Sequence, residues 1–200
     1  MTAQKAIAVK NADPLHEKQA VIRAMLSLCA SIGWQGLTLT DIAEEAEIPL
    51  SRLSVYFDDK NDILIGYGRM IDKRMLEEAG EGDASLSVRD RLFDLMMERF
   101  DILNEDRTAV LSILDAIRYD PKQALYSLPH LTRSVTWMLE AAGEDTNGVK
   151  GALKVAGLSG VYTHVLRAWM KDESPDMSAT MASLDKALSR VESLAGRFNF

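Results

Sequence analysis

Apolar residues recur at three- and four-residue steps along almost all of this 200-residue chain, and nowhere do they alternate over a useful length. That period commits the chain to helices, each burying one face against its neighbours. Five prolines and 12 glycines are too few to cut it into many short pieces, so most helices are long. Hydrophobic residues make up 47% of the chain, enough for a packed core. The expected fold class is all-α.

The spacing of Val21, Ile22, Met25, Leu26 and Cys29 predicts a first helix over 16–32, stopped by Gly33. Thr38 or Thr40 caps a second, short helix over 41–46, with Asp41 near its positive end. Pro49 suits the start of a third helix, which runs to Phe57. Asp58 and Asp59 mark a turn before a fourth helix from Asn61 through Met75 to Glu78. Residues 79–87, small and polar, form the expected linker. Helices over 88–103, 108–119, 123–142, 149–170 and 177–198 follow, with Pro129 a kink or a start in the third of them. The domain reading is a flexible tail at 1–15, a helix-turn-helix domain at 16–64 and a larger helical domain at 65–200.

One long helix followed by two short ones across a tight turn is the layout of a helix-turn-helix. Gly33-Trp34, Thr38-Leu39-Thr40-Asp41-Ile42-Ala43, Ala46, Ile48, Leu53, Tyr56-Phe57, Lys60 and Ile63-Leu64 together resemble the N-terminal module of TetR-family regulators. The resemblance implies a homodimeric, ligand-responsive repressor. It implies a DNA operator as one partner and a hydrophobic small molecule or lipid, bound in the larger domain, as the other. Thr40, Ser51, Arg52, Ser54, Tyr56 and Lys60 fall where such a module meets DNA.

The departures from that pattern bear on the same surface. Glu47 stands where the family's turn usually has glycine, and Pro49 and Leu50 stand where it usually has serine and lysine. Ser54 replaces the usual tyrosine or similar phosphate contact. Between Gln35 and Leu64 two bases, Arg52 and Lys60, face seven acids: Asp41, Glu44, Glu45, Glu47, Asp58, Asp59 and Asp62. Phosphate contacts dominate affinity for DNA and need bases or amides. The whole chain carries a net charge of −7, which also disfavours non-specific polyanion binding. Lys18, Arg23 and the tail bases Lys5 and Lys10 are the further sources of positive charge. Two readings therefore stay open: a selective DNA reader with Arg52 aimed at a guanine edge, or a helix-turn-helix kept as scaffold.

In the larger domain, Met96, Met97, Phe100, Leu103, Leu114, Tyr119, Tyr126 and Trp137 are the candidate ligand-lining residues. Soft methionines suit an irregular apolar cavity, although the same spacing would fill an ordinary core. Ala152, Ala156 and Gly160 make a small-residue stripe at four-residue steps, and Leu184, Leu188 and Val191 recur on the last helix. The TetR resemblance implies that these two helices pair with their symmetry mates in a homodimer. A second resemblance rests on Met170-Lys171-Asp172-Glu173-Ser174-Pro175-Asp176 leading into the helix of Leu184. It is similar to the closing region of the lipid-binding accessory protein of ubiquinone biosynthesis. That family has a TetR-like fold, binds isoprene lipids and does not regulate genes; Gly33-Trp34 and residues 107–113 are compatible with it.

Nothing in the sequence points to catalysis, a cofactor or a metal. His16, His130 and His164 are scattered, and no phosphate loop or nucleophile elbow is present. The single cysteine, Cys29, sits on an apolar helix face and fits a buried thiol in a reducing compartment. No apolar run nears the ~20 residues of a membrane span, so a cytoplasmic chain without stable membrane insertion is expected.

Overall fold

The computed structural model describes residues 13–80 and 85–198, with the backbone alone at 121, 123, 124, 126 and 194–198. The tail bases Lys5 and Lys10, part of the linker, and the side chain of Tyr126 lie outside the described residues. Among the described residues the chain is all helical: α1 Pro14–Ser31, α2 Leu39–Glu45, α3 Leu50–Leu53, α4 Lys60–Ala79, α5 Val88–Glu105, α6 Arg107–Arg118, α7 Pro121–Ala141, α8 Gly148–Trp169 and α9 Ser178–Phe198. They form two compact units. The first comprises Met1–Tyr67 and Asp106–Asp120; the second comprises Gly68–Glu105 and Pro121–Phe200.

In the first unit α1 starts two residues earlier than its apolar spacing suggests. The Asp13 carboxylate accepts the Leu15 N–H at 3.0 Å, and Pro14 occupies the first turn, where a missing N–H costs nothing. Its inward face buries Val21, Met25 and Cys29. Cys29 is 1% exposed, and burial pushes its thiol up to about 11. Thr38, not Thr40, caps α2: its hydroxyl accepts the Asp41 N–H, and Asp41 accepts the Thr38 N–H in return. The turn into α3 runs through Glu47 at φ 56°, a left-handed conformation that side chains beyond glycine adopt at a cost.

Helix α3 is one turn long and ends at Leu53, short of the predicted Phe57. The N–H groups of Val55 and Tyr56 bond back three residues, to Arg52 and Leu53, tightening the chain into a turn that swings Phe57 into the core. Helix α6 packs on α1 within this unit, and the Ser112 hydroxyl accepts the Trp34 N–H at 3.1 Å. The Tyr67 hydroxyl donates to Asp106 at 3.1 Å.

In the second unit α5, α7, α8 and α9 bury Met96, Phe100, Val135, Met138, Val165, Trp169 and Leu184. Phe100 stacks on Tyr162 and Trp169, with centroids at 5.6 and 6.3 Å. Pro129 lies inside α7, which runs through it rather than starting there. Asp172 organises the entry to α9: its carboxylate accepts the N–H of Ser174 at 3.1 Å and of Thr180 at 2.7 Å. Burial opposes its charge, but the hydrogen bonds from Ser174 and Thr180 outweigh it and hold its pKa well below the ordinary range.

Candidate functional site

Three surfaces carry the candidate residues. The first is the helix-turn-helix face. Arg52 is half-buried and its Nε–H donates to Glu17 at 2.7 Å. The Tyr56 hydroxyl donates to the same carboxylate oxygen. The Tyr56 ring has the Arg52 guanidinium 5.1 Å and the Lys18 ammonium 5.6 Å from its centroid. Glu17 is 5% exposed, yet its pKa is lowered, first by the Tyr56 hydrogen bond and then, against burial, by Arg52. One glutamate of α1 thus gathers the basic and aromatic side chains that a DNA reading needs outward.

Lys60 is also engaged inside the unit. Its Nζ donates to the carbonyls of Trp34 at 3.0 Å and Leu37 at 3.3 Å, and lies 4.9 Å from the centroid of the Trp34 ring. It ties the α1–α2 connection to the start of α4. Thr40, Ser51 and Ser54 are exposed, and the Ser54 hydroxyl donates to the Ser51 carbonyl at 3.1 Å. The outward side of α3 and its following turn presents Leu50, Ser51, Ser54 and Val55, with Leu50 47% and Val55 66% exposed. That face offers two hydroxyls and two apolar side chains.

The second surface is a groove of about 550 Å³ in the second unit, lined by Arg69, Asp72, Lys73, Leu76, Glu77, Arg133 and Trp137. The α4 residues repeat at three- and four-residue steps and share one face; Arg133 and Trp137 are one turn apart on α7. Asp72 is buried against a salt-bridged Arg99, accepts the Ser134 hydroxyl at 2.9 Å, and has Arg133 Nη2 at 3.8 Å. Arg99 Nε–H donates to the Tyr162 hydroxyl at 3.2 Å. Burial works against the Arg99 charge, and Tyr162 and Asp72 offset it, leaving the pKa raised.

The third surface is the exposed side of α8. Ala152, Ala156, Gly157 and Gly160 lie on it, flanked by Val149 at 80% and Leu153 at 54% exposure. A Cβ added at Gly157 or Gly160 would meet nothing within 4 Å. On α9, Val191 is 41% exposed, whereas Leu184 and Leu188 are 0% and 4% exposed and belong to the core of their own unit.

The structure is similar to the TetR transcriptional regulator from Nitrosomonas europaea, at 24% identity over 90% of this chain and 99% of that one, with a TM-score of 0.73. A TetR regulator from a Rhodococcus species shares 12% identity over 89% and 97% of the two chains, at TM-score 0.65. A TetR-family regulator from Streptomyces coelicolor shares 14% over 92% and 97%, at 0.60. The chain has the TetR fold. The COQ9 family model, that of a TetR-like lipid-binding accessory protein, matches residues 124–195. No curated protein matches the sequence.

The proposed ligand-lining residues fall in both units. Met96 and Phe100 are fully buried and Leu103 nearly so, Met97 is half-buried, and all four sit on α5. Leu114 and the 70% exposed Tyr119 belong to the first unit. Among the described side chains, Trp137, 46% exposed, is the one of them that lines the groove. Sequence reasoning missed Arg69, Asp72, Lys73 and Arg133, because a charged stripe at helical spacing reads as a solvated face. The one available signal was that Asp72, Met75 and Leu76 share a helix with Arg69 and Lys73, so that stripe borders a buried edge.

Proposed function

We propose that this chain is a TetR-fold protein that binds a hydrophobic or lipid molecule in its second unit and does not read DNA. The observation that carries the reading is the engagement of Arg52 and Tyr56 by Glu17. Arg52 is the one base between Gln35 and Asp59, so a recognition surface that spends it on an internal carboxylate has little left for phosphate. Exposed Leu50 and Val55 on the same face fit this reading, as do the seven acids around it. The COQ9 match over 124–195, within the second unit, supports a lipid as ligand. The exposed small-residue side of α8 supports a homodimer through Ala152, Ala156 and Gly160, and Val191 on α9 is exposed as well. The site of action is the cytoplasm, and neither catalysis nor a cofactor is part of the function.

The second reading is a ligand-responsive TetR repressor. It is favoured by the outward hydroxyls of Thr40, Ser51 and Ser54 and by the fold it shares with regulators. The test is binding of the purified protein to its own upstream DNA and to random duplexes, at low salt and at about 0.2 M, where phosphate-driven binding falls steeply. Mass spectrometry of the material extracted from the same preparation supplies the other arm. No selective DNA binding together with a copurified lipid is the expected result. Saturable, sequence-selective binding would overturn the first reading in favour of the second.

A further inference from the structure

We propose that the groove between α4 and α7 is a headgroup site for a phosphate-bearing amphiphile. The proposal rests on the lipid-binding reading and gives it a chemical class and an address. In a chain of net charge −7, the groove brings together three bases, Arg69, Lys73 and Arg133, against two acids, Asp72 and Glu77. Asp72 is already neutralised from below by buried Arg99, and its second oxygen is occupied by Ser134. Arg133 stands 3.8 Å from Asp72, beyond hydrogen-bond length, and its Nη1 lies 3.4 Å from Nδ1 of His130 one turn back, so the fork makes one long contact and no paired bond to that carboxylate. Lys73 and Glu77 are 3.5 Å apart on one exposed helix face, a pairing that contributes little and is readily exchanged.

The charge excess calls for an anion, and the walls call for more than a free one. Leu76 and the half-exposed indole of Trp137 line the same groove as the bases. Arginine forks match phosphate oxygens in pairs, and three bases suit a dianionic group better than a single carboxylate. A phosphate on Arg69, Lys73 and Arg133 leaves the attached alkyl chain to run along Trp137 and Leu76. The volume of about 550 Å³ accommodates a headgroup and the first part of a chain.

Intrinsic fluorescence reports on this site, because Trp34 and Trp169 are 5% and 0% exposed while Trp137 is 46% exposed. Dodecyl phosphate, dodecanol and inorganic phosphate are titrated into the full chain below micelle-forming concentrations, with calorimetry as the second readout. Dodecyl phosphate is expected to bind at least about tenfold more tightly than dodecanol, the worth of one charge-assisted hydrogen bond. Arg69→Gln with Lys73→Gln, two exposed positions, is expected to erase that difference while leaving dodecanol unchanged; Arg133→Lys is expected to weaken it. Equal affinity for dodecyl phosphate and dodecanol would overturn the proposal, as would indifference to the double substitution. Inorganic phosphate binding as tightly as dodecyl phosphate would overturn it in favour of a free-phosphate site. Copurified lipid without phosphate preference removes the headgroup site alone, whereas phosphate-dependent binding by a chain that carries no lipid from cells removes the parent reading.

Discussion

Arg52 Nε lies 2.7 Å from a carboxylate oxygen of Glu17, thirty-five residues earlier in the chain, and Tyr56 donates to that same oxygen. The pairing couples the recognition turn to α1 and ties its base to an internal carboxylate. Glu17→Gln should loosen it and remove one negative charge. The expected outcome is a few-fold gain in affinity for a random duplex at about 50 mM salt, fading at about 0.2 M. Fluorescence anisotropy with a labelled duplex measures it. Arg52→Ala, made in the native background, should leave both duplex binding and lipid content unchanged.

Glu47 sits at φ 56° in the turn between α2 and α3. Left-handed backbone costs a residue with a Cβ about 1–2 kcal/mol. Glycine removes that cost but adds about 0.4–1 kcal/mol of unfolded-chain entropy. Glu47→Gly should therefore stabilise the first unit by up to about 1 kcal/mol. Urea unfolding followed by circular dichroism reads the shift, and a loss of stability would show that the Glu47 side chain contributes contacts that outweigh its strain.

The same turn illustrates what could be read before any coordinates. Helix positions were legible because apolar spacing and punctuation agree: Gly33 after Cys29 and Pro49 before Leu53. The small-residue stripe of α8 could be read from its four-residue steps, but its exposure could not, because small residues pack as readily inside a unit as between copies. Leu184 and Leu188 were not separable from that stripe, since an internal core and a dimer seam share one period. The extent of α3 was missed because its last residues bond three back instead of four, a difference no side chain announces. Arg52 and Lys60 were visible as bases, but their engagement by Glu17 and by the carbonyls of Trp34 and Leu37 spans 17 to 60 in sequence. Likewise Asp72 and Arg99 meet only once α4 and α5 are packed.

Glu98 is half-buried on α5, and the neighbouring carboxylate of Glu78, then burial, then Asp101 raise its pKa to about 7. Glu78 is pushed the opposite way, by its hydrogen bond with Glu98 and by Arg74, so the titration belongs to the pair. Between the ordinary value of 4.5 and about 7 the folded chain holds a proton that the unfolded chain has released. Stability therefore falls as pH rises through that window. Glu98→Gln should flatten this dependence, raising the melting temperature at pH 8 by on the order of 1–2 °C and leaving it unchanged near pH 4. Thermal scans across that range check it.

Ala156 is exposed on α8 between Leu153 and Gly160. If this side is the homodimer seam, a charge there must be desolvated against its symmetry mate. Ala156→Glu should convert the dimer to a monomer at micromolar concentration with its helical content intact. Sedimentation velocity distinguishes the two states. A variant that stays dimeric would move the seam to another surface.

Asp72 and Arg99 form a buried ion pair, with Ser134 on the second carboxylate oxygen and Tyr162 on the guanidinium. Removing one charge leaves the other in the core without compensation, which costs about 3–5 kcal/mol. Asp72→Leu should lose that much, or fail to fold at all. Removing both charges together, as Asp72→Leu with Arg99→Met, spares the desolvation of each and should recover most of it. The double variant should therefore be more stable than the single one, in urea titrations run at pH 7. That ordering separates an electrostatic role from simple packing: if the pair only filled space, the second substitution would add to the loss instead of reversing it. Because the floor of the groove loses its carboxylate in the double variant while Arg69, Lys73 and Arg133 remain, its affinity for dodecyl phosphate should hold or rise.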